Sequence, residues 1–463
     1  MPEATTVRRV PTNVVLALAL ALGLLTSHAW AGILRVGPGG YSTIREALEA
    51  AAPGDEIHVA SGKYHENLVI EQSVVLLGEG KAHVVGLGEG DVVRVMGDDV
   101  EMRGFSISGS GNDMLVSDAG IKIFGTRARV IDNTIYDSLF GVYLRGCTEA
   151  LVENNRIRGR VEVEVGRRGA GIHFFDAHHN IVRGNDIAFV RDGVYFDHAD
   201  FNTVEDNEFA QLRYGVHYMY CKDNHFYRNV FRDSVGGVAI MYTERVVFQD
   251  NQILNNRKGF NAFGLLFKDA IDSVAERNVI VNSVNGIFLD SSHRNSIRNN
   301  LVAYNDVGVM LYASSLENSF GGNDFVGNLA TLHTVGRADA DWTPDGMGNY
   351  YTDYRGYDID GDGIGDAPHR LQDAFEYLEG SRPLLRMFLY SAASDALSAA
   401  ERSFPLVPSS EEEDTAPQIK PVSGVKMTYQ YEGSEGRRGS SMLAGGSLLA
   451  LLLGGWFSLR LRG

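Results

Sequence analysis

Residues 193–253 read GVYFDHADFNTVEDNEFAQLRYGVHYMYCKDNHFYRNVFRDSVGGVAIMYTERVVFQDNQI and repeat one pattern three times. Each copy begins with a Gly, has apolar residues one and three places later, and continues through a polar stretch towards Asn residues that precede further apolar positions. Copies of the pattern begin at Gly120, Gly141, Gly171, Gly193, Gly215, Gly237, Gly264, Gly286 and Gly308. The period is 22 residues with two longer intervals, which indicates a repeat protein with two insertions.

A unit of this length is too short for a strand, a crossover helix and a second strand. Short alternating apolar stretches separated by Gly and Asn instead predict an all-β fold, in which each unit forms one coil of a parallel β-solenoid. Residues one and three places after the Gly should point inward, and those two and four places after it should point outward. We expect the Gly to supply turns with positive φ. The recurring Asn should form a structural column of stacked amides: Asn185, Asn207, Asn229, Asn251, Asn278, Asn300 and Asn323.

The two ends of the chain differ in composition from the repeats. Residues 1–31 are a predicted signal peptide, because two Arg precede an apolar run that ends in an Ala-Trp-Ala cleavage pattern. Residues 42–54 predict a capped helix that closes the first coil, and the repetition fades after Phe325. The predicted divisions are a β-helix at 32–348, an acidic Gly loop and helical tail at 349–404, a solvated linker at 405–439, and a hydrophobic membrane anchor or sorting segment at 440–463.

The net charge and the cysteine positions argue against a nucleic-acid partner and against a disulfide. The 463 residues include 59 acidic and 42 basic side chains, for a formal charge of −17. This balance argues against a nucleic-acid partner, because such binding requires a basic surface. Cys147 and Cys221 fall in one column three coils apart, which at about 4.8 Å per coil is too far for a disulfide. We therefore expect two small thiols that point into the core.

One outward face concentrates soft metal ligands in adjacent copies. His173 and His217 lie two places after their Gly, whereas Met219 and Met241 lie four places after theirs. The two Met should therefore be one coil apart on the solvent side, with His217 on the same strand face. Thioethers with an imidazole suit Cu(I) better than hard cations such as Mg or Ca. The sequence thus predicts a site for transient copper binding at these four residues.

The same face carries aromatic side chains that favour a second interpretation. Tyr195 and Phe175 lie in the outward columns, and Tyr220 and Tyr242 directly follow the two Met. Clustered exposed Met and aromatic residues are typical of a surface that docks a protein partner. Copper binding and partner docking do not exclude each other, and both interpretations stay open at this point.

A different metal-binding pattern, DIDGDGIGD, lies downstream of the repeats. Asp358, Asp360, Asp362 and Asp366 occupy positions 1, 3, 5 and 9 of a calcium-binding loop, with Gly at position 6. Position 12, normally a bidentate Glu, is His369, which lowers the expected affinity. Calcium binding and an acidic Gly turn closed by hydrogen bonds both fit this spacing.

Three stretches give the chain a family resemblance over roughly residues 32–405. They are GPGGYSTIREALEAAAPGDEIHVASGKYHENLVI at 37–70, GVHYMYCKDNHF at 215–226, and NYYTDYRGYDIDGDGIGDAPHR at 349–370. Together they resemble the NosD family of periplasmic nitrous oxide reductase maturation proteins. The first two stretches are shared with many carbohydrate-active β-helices, so the third is the discriminating one. The hydrophobic segment at 440–463 is not part of the usual family pattern.

The resemblance implies a right-handed, single-stranded parallel β-helix that is not an enzyme. Members of the family work with an ABC transporter, formed by a NosF-type ATPase and a NosY-type permease, and with a copper chaperone. Together they assemble the copper–sulfur cluster of nitrous oxide reductase in the periplasm, and the family is described as copper-binding. The apolar segment at 375–404 would then either seat the protein on the permease or cap the solenoid.

The alternative function is a carbohydrate-active β-helix, such as a polysaccharide lyase, hydrolase or epimerase. Such a site needs outward carboxylates beside a group that exchanges a proton with the sugar. Asp197, His198 and Tyr195 could imitate one, whereas Asp290 stands alone. A surface adhesin is a third class, whose function would survive substitutions across the outward face.

Overall fold

The computed structural model describes residues 32–259, 262–336, 339–372, 391, 396 and 412–426. Within them the chain is an all-β, right-handed parallel β-helix, which confirms the fold expected from the repeats. The predicted signal peptide, the hydrophobic segment at 440–463 and all but two positions of the helical tail lie outside the described residues. No helix in the described part of the chain combines the length and hydrophobicity needed to span a membrane.

Coils of the solenoid contribute strands to three parallel sheets, here called sheets I, II and III. Sheet I has 12 strands, Leu68–Ile70, Val93–Val95, Ala119–Ile123, Phe140–Arg145, Ile172–Phe175, Asp192–Asp197, Tyr214–Met219, Gly236–Glu244, Phe263–Ile271, Asn285–Asp290, Val307–Tyr312 and Ala330–Val335. Sheet II has 14 strands, Ile33–Val36, Glu56–Val59, Val75–Gly78, Glu101–Arg103, Arg129–Ile131, Leu151–Glu153, Ile181–Arg183, Thr203–Glu205, His225–Tyr227, Val247–Gln249, Val274–Glu276, Ser296–Arg298, Leu316–Gly321 and Asp339–Asp341. Sheet III has 13 strands, Gly62–His65, Ala82–Val85, Ser106–Ser108, Thr134–Tyr136, Arg156–Arg158, Asp186–Ala188, Glu208–Ala210, Val230–Arg232, Gln252–Leu254, Val279–Val281, Leu301–Ala303, Asp324–Val326 and Tyr350–Tyr351.

The strand register confirms that equivalent residues of successive copies are stacked. Val194 pairs with Val216, and Val216 pairs with Val238, so one repeat corresponds to one coil. The two longer intervals are loops that precede the strands Ile172–Phe175 and Phe263–Ile271, and both strands keep the sheet I register. The first loop contains a short 3₁₀ helix, Val165–Arg167. Because the insertions leave the register intact, columns can be followed through the whole solenoid.

The inward positions form a continuous apolar core of stacked rings. Phe174 and Phe196 are fully buried, with ring centroids 4.4 Å apart and nearly parallel planes. Cys147 and Cys221 lie in the same core and neither is disulfide bonded, as their column predicts. Burial raises the pKa of both thiols to about 12. They are therefore packing groups without thiolate character at neutral pH.

The repeat glycine is required for space and not for a positive φ, so the physical reason expected from the sequence is wrong. A Cβ at Gly215 would lie 2.3 Å from Phe231 Cδ1 and 2.7 Å from the carbonyl oxygen of Gly237. Positive φ is instead adopted by larger turn residues, including Tyr220 at 56° and Tyr242 at 53°. A side chain at the repeat Gly would therefore separate neighbouring coils.

The predicted amide column is present and fully buried. The Asn207 backbone N–H and Nδ2 donate to Asn229 Oδ1 at 3.1 and 3.0 Å, and Asn229 donates in the same way to Asn251. A second, shorter column includes Asn180, Asn202 and Asn224. Each amide satisfies backbone groups at a turn that the sheets leave unpaired, which explains the Asn structurally.

A helix covers the first coil, as predicted. It spans Ile44–Ala50 and begins with a capping box, in which Thr43 Oγ1 accepts from the backbone N–H of Glu46 and the Glu46 side chain returns to the Thr43 backbone. Ile44 and Ala47 are completely buried against the core. The helix thus shields the open end of the sheets from water and from edge pairing.

At the other end, coils continue beyond the point where the sequence repetition fades, close to the boundary predicted at residue 348. Coils continue past Phe325 through Ala330–Val335 to Tyr350–Tyr351, and a 3₁₀ helix occupies Pro344–Gly346. Residues 412–426 return to this end, where His369–Arg370 pairs antiparallel with Glu413–Asp414. This part of the segment expected to be a solvated linker is therefore packed, because its buried carboxylates bind the last coil.

Candidate functional site

The outward face of sheet I brings His217, Met219 and Met241 together. His217 and Met219 lie two residues apart on the strand Tyr214–Met219, so both side chains point outward. Met219 pairs in register with Met241 of the next coil, which places the two Cα atoms about 4.8 Å apart. Three soft donors thus lie on one small area of the solvent face, as the repeat register predicts.

The two thioethers are half-buried and held by neighbouring side chains. The Tyr195 hydroxyl donates to Met219 Sδ at 3.7 Å. Met241 packs against a small outer cluster formed by Ala239, Phe263 and Leu266. Because part of each Met is covered, the sulfur atoms are less mobile than on a fully exposed side chain, and this favours a defined ligand geometry.

The His217 imidazole is oriented through its Nδ1 atom. This nitrogen lies 3.3 Å from Asp192 Oδ2 and 3.0 Å from Arg213 Nη2. Its Nε2 atom makes no hydrogen bond within the part of the chain that the structure describes, and 13% of the side chain is exposed. Tyr195 contacts the ring edge at a centroid distance of 4.7 Å. One ring nitrogen is therefore engaged, and the other is available to a ligand.

A buried ion pair that the repeat pattern does not predict lies behind His217. The Asp192 carboxylate is completely buried, and it accepts from Arg213 at 2.8 and 2.6 Å and from Arg191 Nε at 3.1 Å. Burial alone would raise its pKa, but the hydrogen bonds to His217 and Arg213 outweigh burial and lower it to about 2. The missed signal is an Asp in a column whose members, apart from Asp91, are uncharged: Ala119, Phe140, Ala170, Tyr214, Gly236, Phe263, Asn285, Val307 and Ala330.

His173 lies apart from the other three predicted copper ligands. The register places Tyr195 between it and His217, so the two His are separated by two coils, about 9.6 Å. Its ring stacks between Tyr143 at 4.4 Å and Tyr195 at 4.6 Å, and its Nδ1 is buried without a hydrogen-bond partner. Burial lowers the pKa of His173 to about 3, so it stays neutral. The Tyr195 ring lies between the two imidazoles and contacts both, so they do not face one ion.

The four predicted docking residues lie at three places on the outward face. Tyr220 and Tyr242 are 53% and 40% exposed and stack on each other at 5.0 Å beside a cavity of about 430 Å³. Phe175 is 38% exposed under the Arg145 guanidinium, at 5.7 Å. Tyr195 instead lies half-buried inside the ring column. The exposed tyrosine pair thus adjoins the thioethers, whereas Phe175 lies farther along the face.

The acidic loop brings three of its four predicted calcium ligands together. Carboxylate oxygens of Asp358, Asp360 and Asp362 lie within 4.8 Å of one another. The Asp366 carboxylate accepts from the Ile359 N–H at 2.5 Å. His369, at position 12, lies against Tyr351 with a centroid distance of 4.4 Å and does not join the carboxylates. The loop is also fastened to the returning segment, since the Gly363 carbonyl accepts from residue 419 and the Gly365 N–H donates to residue 417.

The groups that could imitate a sugar-cleaving site do not assemble into one. Asp197 binds the neighbouring His198 at 2.6 Å, but the Tyr195 hydroxyl is directed to the Met219 sulfur. Asp290 is paired with Lys268. The described residues therefore give no support on this face for a carboxylate and proton-exchange pair aimed at one sugar.

Comparisons with known proteins identify similar sequences and a similar solved structure. Residues 159–356 match the family model described as "Periplasmic copper-binding protein (NosD)", and residues 35–236 match "Protein of unknown function (DUF1565)". A Pseudomonas aeruginosa protein named "Probable ABC transporter binding protein NosD" is 37% identical over 388 residues, or 81% of this chain and 91% of the relative. A protein of the same name from Stutzerimonas stutzeri is 35% identical over 80% of this chain and 88% of its own length. Among solved structures, the alginate lyase AlyF-OU02 with G6 has a TM-score of 0.50 at 15% identity, covering 70% of this chain and 86% of its own, which shows the fold alone.

Proposed function

Because this chain belongs to the NosD family, we propose that it is a periplasmic accessory protein for the maturation of nitrous oxide reductase. It acts with an ABC transporter, formed by a NosY-type permease and a NosF-type ATPase, during assembly of the copper–sulfur cluster. The name shared by both relatives supports a transporter partner, and the family description supports copper as the ion handled. In this role the protein binds and positions, and it catalyses no reaction.

The observation that carries the proposal is the grouping of His217, Met219 and Met241 on the outward face of sheet I. One imidazole and two thioethers form a soft donor set, which favours Cu(I) over hard divalent cations. Copper is a cargo in this proposal, received at the face and passed on. His173 is not included in the same donor set because Tyr195 separates it from His217.

A docking role for the adjoining aromatic residues completes this part of the proposal. Tyr220 and Tyr242 lie one position after the two Met and present stacked, exposed rings. Tyr is enriched in protein interfaces because it combines a large apolar face with a hydroxyl group. We infer that the reductase or a copper chaperone docks on this pair, which brings its own metal ligands next to the thioethers.

We also propose a calcium site in the acidic loop. Asp358, Asp360 and Asp362 provide three clustered carboxylates, which suit a hard cation that prefers oxygen ligands. Without a Glu at position 12, water or a backbone carbonyl must complete the shell, so weak binding is expected. The role would be structural, since the loop braces the returning segment.

The decisive experiment is a deletion of this gene in its denitrifying host. Nitrous oxide reductase purified from the deletion strain should lack its copper–sulfur cluster, and expression of this chain should restore copper and sulfide content. Reductase with a full cluster from the deletion strain would contradict the proposal. Turnover of polysaccharides by the purified chain would instead support the carbohydrate-active alternative, for which the structure offers fold likeness only.

A further inference from the structure

A buried acid that receives an outward side chain from the next coil occurs twice on sheet I. Asp192 meets His217, and Asp91 meets Lys122, whose Nζ lies 2.7 Å from Asp91 Oδ1. The register places Asp91 and Asp192 in one column and Lys122 and His217 in the neighbouring column, four coils apart. The chain therefore contains two copies of the same arrangement in different surroundings.

The two copies differ in whether the outward side chain keeps an atom that can bind a ligand. Lys122 is 4% exposed, and its Nζ also donates to the carbonyl of Val116 at 2.8 Å. Both of these interactions of the ammonium group are made inside the protein. His217 engages only Nδ1 among the described residues, and its second nitrogen is available on the face that carries Met219. The pair of Asp91 and Lys122 is thus a structural ion pair, whereas the pair of Asp192 and His217 leaves the His217 Nε2 atom available to a metal.

The partners of Nδ1 decide which ring nitrogen can bind a metal. The Asp192 carboxylate only accepts hydrogen bonds, and the Arg213 guanidinium only donates them. A proton on Nδ1 is therefore donated to Asp192 and leaves a lone pair on Nε2. A proton on Nε2 instead leaves Nδ1 to accept from Arg213 Nη2, the shorter contact at 3.0 Å, and blocks Nε2 as a ligand, so a metal on Nε2 requires the proton to stand on Nδ1 towards Asp192. Metal-binding imidazoles commonly donate their second N–H to a carboxylate in this way.

We propose that Asp192 is a positioning residue for copper, which holds His217 with its proton on Nδ1 and its Nε2 as the metal donor beside Met219 and Met241. Arg213 and Arg191 keep the carboxylate in place behind the ring through hydrogen bonds of 2.6 to 3.1 Å. This inference rests on the proposed function, because it assigns a role within the same copper site.

Cu(I) affinity of the processed full-length chain, measured without oxygen by competition with a chromogenic Cu(I) chelator, tests the assignment. Asp192→Asn should weaken binding by about 10- to 100-fold, the usual effect of removing a partner of a metal-binding imidazole. Asp91→Asn is the matched control, since it also breaks a buried ion pair on sheet I and should leave the affinity unchanged. Equal affinity in both variants and the parent would overturn the proposal.

A second measurement needs no variant and therefore does not depend on folding of Asp192→Asn. In the ¹⁵N-histidine-labelled parent loaded with Cu(I), NMR should show His217 with its proton on Nδ1 and copper on Nε2, and a proton that stays on Nε2 would contradict the assignment. The affinity data also distinguish failure of the proposed copper function from failure of the positioning role of Asp192. If Cu(I) affinity does not depend on Met219 and Met241, the copper part of the proposed function fails. If it depends on them but not on Asp192, only the positioning role fails.

Discussion

Replacing Asp414 by Asn should detach the returning segment from the end of the solenoid. Asp414 Oδ2 accepts from the Asn349 backbone at 2.6 Å, from the Asn349 side chain at 3.1 Å and from the Tyr351 hydroxyl at 3.0 Å. Its Oδ1 accepts from Thr343 Oγ1 and from the Ala416 N–H, both at 3.0 Å. Every partner is a donor, so the site is built for a carboxylate, and Asn349 is the last amide of the buried column.

The cost of the substitution follows from these contacts. Asn retains one acceptor, and with its oxygen towards Asn349 its NH₂ group faces two donors. The Thr343 hydroxyl can turn to accept, but the Ala416 N–H is left unpaired, which costs about 1–3 kcal/mol. Exchanging a charged acceptor for a neutral one adds about 1 kcal/mol, for a total of about 2–4 kcal/mol. This is enough to open a terminal segment without unfolding the coils behind it.

Hydrogen exchange followed by mass spectrometry can resolve this local opening. Peptides covering 412–426 should exchange much faster in Asp414→Asn, whereas peptides from the central coils should be unchanged. Glu413→Gln is the matched control, because it removes one charge from the exposed neighbouring residue. Unchanged exchange at 412–426 in Asp414→Asn, or equal acceleration in the control, would contradict this prediction.

Three further results are expected. Hydrogen bonds from His58 to Glu56 and Glu79 raise the pKa of that imidazole, so its stabilising contribution is present below about pH 6.5 and is lost as pH rises through the raised pKa. The melting temperature of His58→Gln should therefore fall less between pH 6 and pH 8 than that of the parent, and parallel curves would contradict this. Calcium should raise the melting temperature of the parent but not of Asp360→Asn, and magnesium serves as the comparison ion. The two buried thiols should react with a thiol reagent only on unfolding, so rapid labelling of the native chain would disprove their burial.

The fold could be predicted from the sequence because a solenoid is built from contacts between adjacent repeats. One period of 22 residues fixes the alternation, the columns and the register, so the pairing of Met219 with Met241 followed directly. The same register separates His173 from His217, since the intervening copy supplies Tyr195. The role of the repeat Gly was misjudged because close approach of neighbouring coils is not visible in a single copy.

The features that could not be predicted depend on contacts outside the period. The returning segment reaches the last coil across about seventy residues, where the Trp342 indole donates to Glu412 at 2.6 Å. A run of acidic residues indicates a solvated linker when those partners are unknown. Burial of Asp192 depends instead on two individual side chains, Arg191 of its own coil and Arg213 of the next, and the repeat pattern does not specify this pairing.

In the proposed function, the paired thioethers on sheet I handle copper for the reductase. Its most direct test is the copper content of nitrous oxide reductase purified from a host whose only copy of this gene carries Met219→Leu and Met241→Leu. Leu preserves the packing volume at little cost in stability, and Met310→Leu is the matched control because Met310 is a half-buried outward Met of the same sheet. We expect copper-deficient reductase from the double variant and reductase with normal copper content from the control. Fully loaded reductase from the double variant, at parental levels of the protein, would contradict it.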